Sequence, residues 1–260
     1  MTERASVRRA FSRAAARYSE LAGLQREVGD RLIDVLPSSA RATRVLDLGC
    51  GTGFASPGLR ARFPQALLCP ADFSQPMLAL HRPVQGNARV CADAHALPFA
   101  GRAFDLIFSS LMLQWCDLPR VLAECARVLT ADGWLCFSTV LQGSLREIDA
   151  AFSGIDGHRH VVDFPAASAL HSMLEMEGFS IEWAECATRV EYFAHAAELL
   201  QSNRGIGASR VPAGGRPSML GRAALAEVCR RLELGRTAQG VPLSYELAWV
   251  VARPVPGARG

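Results

Sequence analysis

The chain has 260 residues, half of them hydrophobic and a fifth charged, enough to bury a sizeable core and to exclude disorder or a fibrous repeat. Its net charge of +3 is too mild for the dense basic footprint of a nucleic-acid binder, and no run approaches the roughly 18 uninterrupted apolar residues of a membrane span. A single soluble domain with no nucleic-acid or membrane partner is expected.

All 28 basic residues are arginine, and the eight cysteines (50, 69, 91, 116, 125, 136, 186, 229) form no C-x-x-C pair. Several sit in apolar runs, which predicts reduced thiols in a cytoplasmic protein. Residues 1–23 carry Arg4, Arg8, Arg9, Arg13 and Arg17 with few acids, as an organellar transit peptide does. However, Val7, Phe11, Tyr18 and Leu21, continued by Leu24, Val28 and Leu32, follow helical spacing without a break. An amphipathic helix belonging to the working protein is predicted.

From residue 44 onward short apolar runs alternate with helix-like segments. Val45–Leu48, Ala66–Ala71, Ala88–Cys91, Phe104–Ser110 and Gly133–Val140 read as five buried strands. Between the last two, Leu118, Val121, Leu122, Cys125, Val128 and Leu129 form one apolar stripe, a crossover helix expected to stop just before Gly133. Further strands are predicted at Phe179–Val190 and Leu243–Val251. This alternation predicts a doubly wound α/β sheet with helices on both faces. Residues 142–178 and 191–241 are long for connections, and are expected to be insertions that shape a pocket at the carboxyl ends of the strands.

The stretch most informative about chemistry is VLDLGCGTG, Val45–Gly53: a buried strand ending in an acid, then glycines at 49, 51 and 53. Glycine lets the backbone turn sharply and approach a ligand closely. The spacing is not the G-x-G-x-x-G of dinucleotide sites, and Asp47 would repel a pyrophosphate. A carboxylate there favours a ligand with an ammonium group or ribose hydroxyls.

With these residues the sequence resembles the class I S-adenosylmethionine-dependent methyltransferases, whose fold is Rossmann-like with a mostly parallel seven-stranded sheet. The resemblance implies that Asp47, Gly49, Gly51 and Gly53 hold the methionine and ribose part of the cofactor. It implies that Asp72, at the end of the second strand, grips the ribose. Asp93 and the Ala94 amide, after the third strand, would meet the adenine. Ser110, at the end of the fourth strand in FDLIFSSLMLQW, would face the methyl group. A narrower resemblance, to the malonyl-acyl carrier protein O-methyltransferases of biotin synthesis, covers nearly the whole chain. It rests on RRAFSRAAARYSELAGLQREV, with Phe11, Ala15, Tyr18 and Gln25; on LQWC at Leu113–Cys116; on Phe137–Ile148; and on NRGIGASR followed by GVPLSYEL. One departure is His95, which stands where related enzymes often carry Glu.

That resemblance implies methylation of the free carboxylate of a malonyl thioester, on acyl carrier protein or coenzyme A. A malonyl carboxylate is already ionised at neutral pH, so no general base is needed. Arg204, flanked by Gly205 and Gly207, is the candidate clamp for that carboxylate, a solvated surface arginine being the alternative. Tyr18 belongs to an N-terminal helical lid, residues 1–36, and could place its hydroxyl at the transfer site or simply pack in the core. Gln114 and Trp115 either line the substrate pocket or pack against the lid. Arg8, Arg9, Arg146 and Arg210 are candidates for steering an acidic carrier protein. His158 and His160 lack a third ligand nearby, so no metal is expected. The protein is expected to act as a monomer. Rival readings are a methyltransferase of quinones or other small molecules, which would not need Arg204, and a non-catalytic cofactor-binding subunit.

Overall fold

The computed structural model describes residues 9, 12, 23–81, 89–205, 220–255 and 257, with only the backbone at 204 and 205. The expected doubly wound α/β architecture is present. A seven-stranded sheet has the order β3-β2-β1-β4-β5-β7-β6. In chain order its strands are β1 (Arg44–Leu48), β2 (Leu67–Asp72), β3 (Val90–Cys91), β4 (Phe104–Ser110), β5 (Leu129–Val140), β6 (Phe179–Phe193) and β7 (Val241–Pro254). The first five run parallel, whereas β7 is inserted antiparallel between β5 and β6.

Side chains alternate across the strands, so each strand feeds two cores. Val45, Leu68, Leu106 and Phe108 face one side, where the helices α1 (Gly23–Asp34) and α2 (Ser56–Arg62) contribute Leu24, Val28, Leu32 and Leu59. Leu46, Ile107, Leu135 and Phe137 face the other, with Leu170 and Leu174 of α6 (Ala167–Met176) and the stripe of α4 (Leu118–Val128). Residues 23–34 of the expected lid are therefore a core helix, fixed to β7 by the Trp249 indole N–H, which donates to the Val28 carbonyl at 3.0 Å. Before Gly23 only residues 9 and 12 of that segment are described, and the Ser12 hydroxyl lies 3.0 Å from that of Ser74. Among the described residues no helix is long and apolar enough to cross a membrane.

Two boundaries differ from the sequence reading. Helix α4 ends at Val128, and β5 begins at Leu129, ahead of the stop signal at Gly133. Leu129 is buried opposite Phe104, and that pairing outweighs continued helix. Strand β6 reaches Phe193 and β7 starts at Val241, so the two remain paired beyond Val140, where β5 stops. This arm, on the carboxyl-end side of the sheet, is covered by α7 (Ala196–Gly205), whereas α5 (Arg146–Phe152) and α8 (Arg222–Leu234) pack on each other nearby. Helix α6 lies instead against β6 and α4, so part of 142–178 is an ordinary layer helix.

Candidate active site

The cavity lies at the carboxyl ends of the strands, as expected for an open α/β sheet. It begins where β1 ends. Gly49, Gly51 and Gly53 have φ of 75°, 54° and 90°, all in the region that side chains disfavour. At Gly49 a Cβ would sit 2.4 Å from Met112 Cγ, and at Gly53 one would sit 2.6 Å from the His81 ring. The Gly49 and Cys50 amides both donate to the Ala71 carbonyl, binding the bend to β2.

Replacing Gly49 by Ala is therefore expected to cost about 2–5 kcal/mol, the sum of left-handed strain and overpacking. Met112→Ala in the same chain should recover the steric part only. Urea unfolding of the single and double variants measures both quantities, and additive losses would contradict the clash.

Asp72 closes β2 and lies at this bend. One carboxylate oxygen accepts from the Gly51 N–H at 2.9 Å and the other from the Ser74 N–H at 2.7 Å. Ser74 in turn caps α3 (Gln75–Leu80). Burial pushes the Asp72 carboxyl above its usual range, and the backbone donors at Ser74, Gly51 and Phe73 oppose that rise. Asp47, 3% exposed, is raised to about 7, chiefly by burial; its bond to Ser56 pulls down and the charge of Asp72 pushes up. The Ser56 hydroxyl donates to Asp47 at 3.4 Å and stands 3.0 Å from His81 Nε2, a buried relay behind the glycine bend.

The main cavity has about 840 Å³ of open space, its mouth included. Gly49, Gly51, Asp72, Asp93, Ala94, Ser110 and Trp115 line it, together with Phe73, Met77 and Met112, which the sequence reading did not single out, and with His95 and Cys116, which it noted without assigning them to the site. A smaller cavity adjoins it, sharing Gly49, Gly51 and Ser110, and is lined by Gln25, Arg26, Asp30, Asp47 and Phe54. There the buried Gln25 Oε1 has no hydrogen-bond partner among the described residues. Such an acceptor is costly unless something supplies a donor.

Of the other expected residues, Gly53 does not line either cavity and shapes the bend from behind. Ser110 spends its hydroxyl on that of Ser138, 3.0 Å away. Gln114 lines neither cavity; its amide donates to the Leu111 carbonyl and accepts from Thr139, which holds the short 3-10 turn Leu113–Trp115 in place. Tyr18 lies outside the described residues, as do Arg8 and Arg210. Arg204 is in the last turn of α7, its side chain outside them too. Arg146 is engaged by Glu147 and Glu246. His160 pairs with Asp156 and stacks on Phe152. Among the described residues no His, Cys, Asp and Glu group of three or more could hold a metal ion.

A family model described as a methyltransferase domain matches residues 46–137, the span from β1 into β5 that contains every residue lining the main cavity. A malonyl-acyl-carrier-protein O-methyltransferase of Herminiimonas arsenicoxydans is 41% identical over 93% of this chain and 93% of its own length. This chain belongs to the malonyl-acyl-carrier-protein O-methyltransferase family. A biotin biosynthesis bifunctional protein of Cellvibrio japonicus is 36% identical over 94% of the chain, which spans 49% of that longer protein. The family's fold extends to more distant proteins: a putative methyltransferase of Bacillus halodurans superposes with a TM-score of 0.64 at 15% identity, over 88% of this chain and 99% of that one.

Proposed function

We propose that this chain transfers the methyl group of S-adenosylmethionine to the free carboxylate of the malonyl group on acyl carrier protein, giving the methyl ester that primes pimeloyl synthesis for biotin. The observation that carries the reading is Asp72 held against Gly51 in the wall of a cavity in a chain of this family. The donor set fits the cofactor. Asp72 offers acceptors to two ribose hydroxyls, and Asp93 with the Ala94 amide suits an adenine edge. Asp47 and the unpartnered Gln25 Oε1 line the adjoining cavity and suit an ammonium group, with Arg26 beside them for a carboxylate. When bound, S-adenosylmethionine supplies an electrophilic sulfonium methyl.

The protein's own part is positioning and the exclusion of water, effects worth about 7–11 kcal/mol when geometry is good. The malonyl carboxylate needs no base, which agrees with a cavity wall of glycine, Leu111, Met112 and Trp115 around two acids, Asp72 and Asp93, that already accept from backbone N–H groups. The arm of β6 and β7 supports the further reading that residues 191–241 cover the substrate, with the part of 142–178 before Ala167 beside them and the part of residues 1–36 before Gly23 closing over the cofactor within a single domain. Tyr18 and Arg204 are assigned to that covering layer, and Trp115 to the substrate side of the cavity. The same reading has the enzyme acting in the cytoplasm as a monomer, on a thioester of carrier protein or coenzyme A.

Mass spectrometry of malonyl carrier protein incubated with the enzyme and S-adenosylmethionine tests the proposal. A monomethyl ester is expected there, and not on free malonate or succinyl carrier protein; methylation of a quinone instead would overturn it. Arg204→Ala is expected to lower kcat/KM for the malonyl thioester roughly 100-fold, about 2.7 kcal/mol, for loss of a charged hydrogen-bonding partner. The dissociation constant of S-adenosylhomocysteine should stay within about threefold of wild type, because the clamp touches the acceptor and not the cofactor. Equal losses in both would remove Arg204 from the acceptor site.

A further inference from the structure

His95 follows Asp93 by two residues and is buried, 7% exposed. Two bonds converge on a single oxygen of Asp93. The His95 backbone N–H donates to Asp93 Oδ1 at 3.0 Å, and His95 Nδ1 stands 2.6 Å from the same atom. Across the ring, the Asp117 backbone N–H lies 3.0 Å from His95 Nε2. A backbone N–H can only donate, so Nε2 is the acceptor and the ring proton resides on Nδ1, donating to Asp93. Asp117 caps α4, two residues after the 3-10 turn that carries Trp115, and Arg120 Nε donates to the His95 carbonyl at 3.1 Å. Asp93, His95, Met112, Trp115 and Cys116 all line the main cavity.

We infer that His95 is a positioning residue: its Nδ1–H sets the rotation of the Asp93 carboxylate toward a purine amino group, and its Nε2 ties that acid to the segment 111–117 walling the cavity. The inference rests on the cofactor reading above. Two bonds on Oδ1 leave the carboxylate little freedom to rotate, which determines where Oδ2 stands. The bond to Asp117 couples two loops that are distant in sequence, so the end of the cavity that takes the base and the wall bearing Trp115 keep a fixed separation. A glutamate could not serve both partners in this way, since an ionised carboxylate donates nothing to Asp93.

Each bond can be removed separately. In His95→Gln the amide oxygen falls near the position of Nε2 and keeps the Asp117 partner; in His95→Asn the amide nitrogen falls near Nδ1 and keeps the Asp93 partner. Calorimetry with S-adenosylhomocysteine and its deaminated counterpart, S-inosylhomocysteine, reads the orientation of Asp93. Wild type is expected to prefer the adenosyl compound by about 10- to 100-fold, the loss expected for one hydrogen bond to a charged group. H95N should keep that ratio and H95Q should bring it close to unity. Hydrogen exchange at the Asp117 amide should speed up in H95N and not in H95Q.

An H95Q ratio equal to wild type, or an H95N ratio that collapses as far, overturns the role of His95. Should either variant fail to fold, ¹⁵N spectra of histidine-labelled wild type still decide the matter, because a His95 ring protonated at Nε2 contradicts the inference. Absence of S-adenosylhomocysteine binding in wild type would instead overturn the cofactor reading, and this inference with it. Binding with an unchanged ratio in H95Q removes His95 alone.

Discussion

Replacing Asp72 by Asn is expected to weaken binding of S-adenosylhomocysteine at least about 100-fold, because two hydrogen bonds to a charged acceptor are each worth about 1.5–3 kcal/mol. Within the protein the carboxylate is an acceptor on both sides, from Gly51 and from Ser74. An amide can satisfy only one of them; its NH2 group would face the other N–H. The substitution therefore removes an anion from the ribose side and loosens the glycine bend that the same group holds. Stability should change much less than affinity, since burial already disfavours the charged form of Asp72 and the neutral amide avoids that cost. Calorimetry with S-adenosylhomocysteine and with its 2′-deoxy counterpart separates the two effects. Wild type should lose affinity for the deoxy compound, whereas D72N should hardly distinguish the pair. A loss below tenfold in D72N, in protein that melts like wild type, would detach Asp72 from the ribose.

The features that make Asp72 a candidate were legible in the sequence because they are local: a strand ending in an acid, and a turn built of glycines whose positive φ angles require that residue. Parallel strands 1 to 5 were legible for the same reason, each being a short apolar run. The insertion of β7 between β5 and β6 was not, since periodicity carries no information about strand order. The end of α4 was misplaced because Gly133 is a sound local stop signal, whereas burial of Leu129 against Phe104 is a contact across the sheet. Site residues divide in the same way. Trp115 points into the cavity while its neighbour Gln114 is held by Leu111 and Thr139, a distinction set by one short turn that no spacing rule describes. Gln25 was noted as a family feature only, and what marks it in the structure is an acceptor without a donor. His95 read as a departure from pattern, and its meaning depends on Asp117, 22 residues away.

Asp47 presents the opposite balance to Asp72, and its replacement by Asn is expected to stabilise the free protein while weakening cofactor binding. An ordinary aspartate loses its proton near pH 3.8, but in the folded chain Asp47 keeps it up to about pH 7. Between those values the native state binds more protons than the unfolded state, so the contribution of this residue to stability falls as pH rises from about 4 to about 7 and levels off above. A rise from 3.8 to about 7 corresponds to a loss on the order of 4 kcal/mol. Asn carries no such charge, so D47N and wild type should melt alike near pH 4, with the variant melting several degrees higher at pH 8. The cost is retained because an ionised Asp47 faces the adjoining cavity, where an ammonium group would favour the charged form. Binding of S-adenosylhomocysteine by wild type at pH 6 should accordingly release protons, seen as a dependence of the calorimetric heat on the ionisation enthalpy of the buffer. That dependence should vanish in D47N. A variant less stable than wild type at pH 8 would mean that Asp47 is a structural acid, its charge balanced by Ser56 and His81 and not by a ligand.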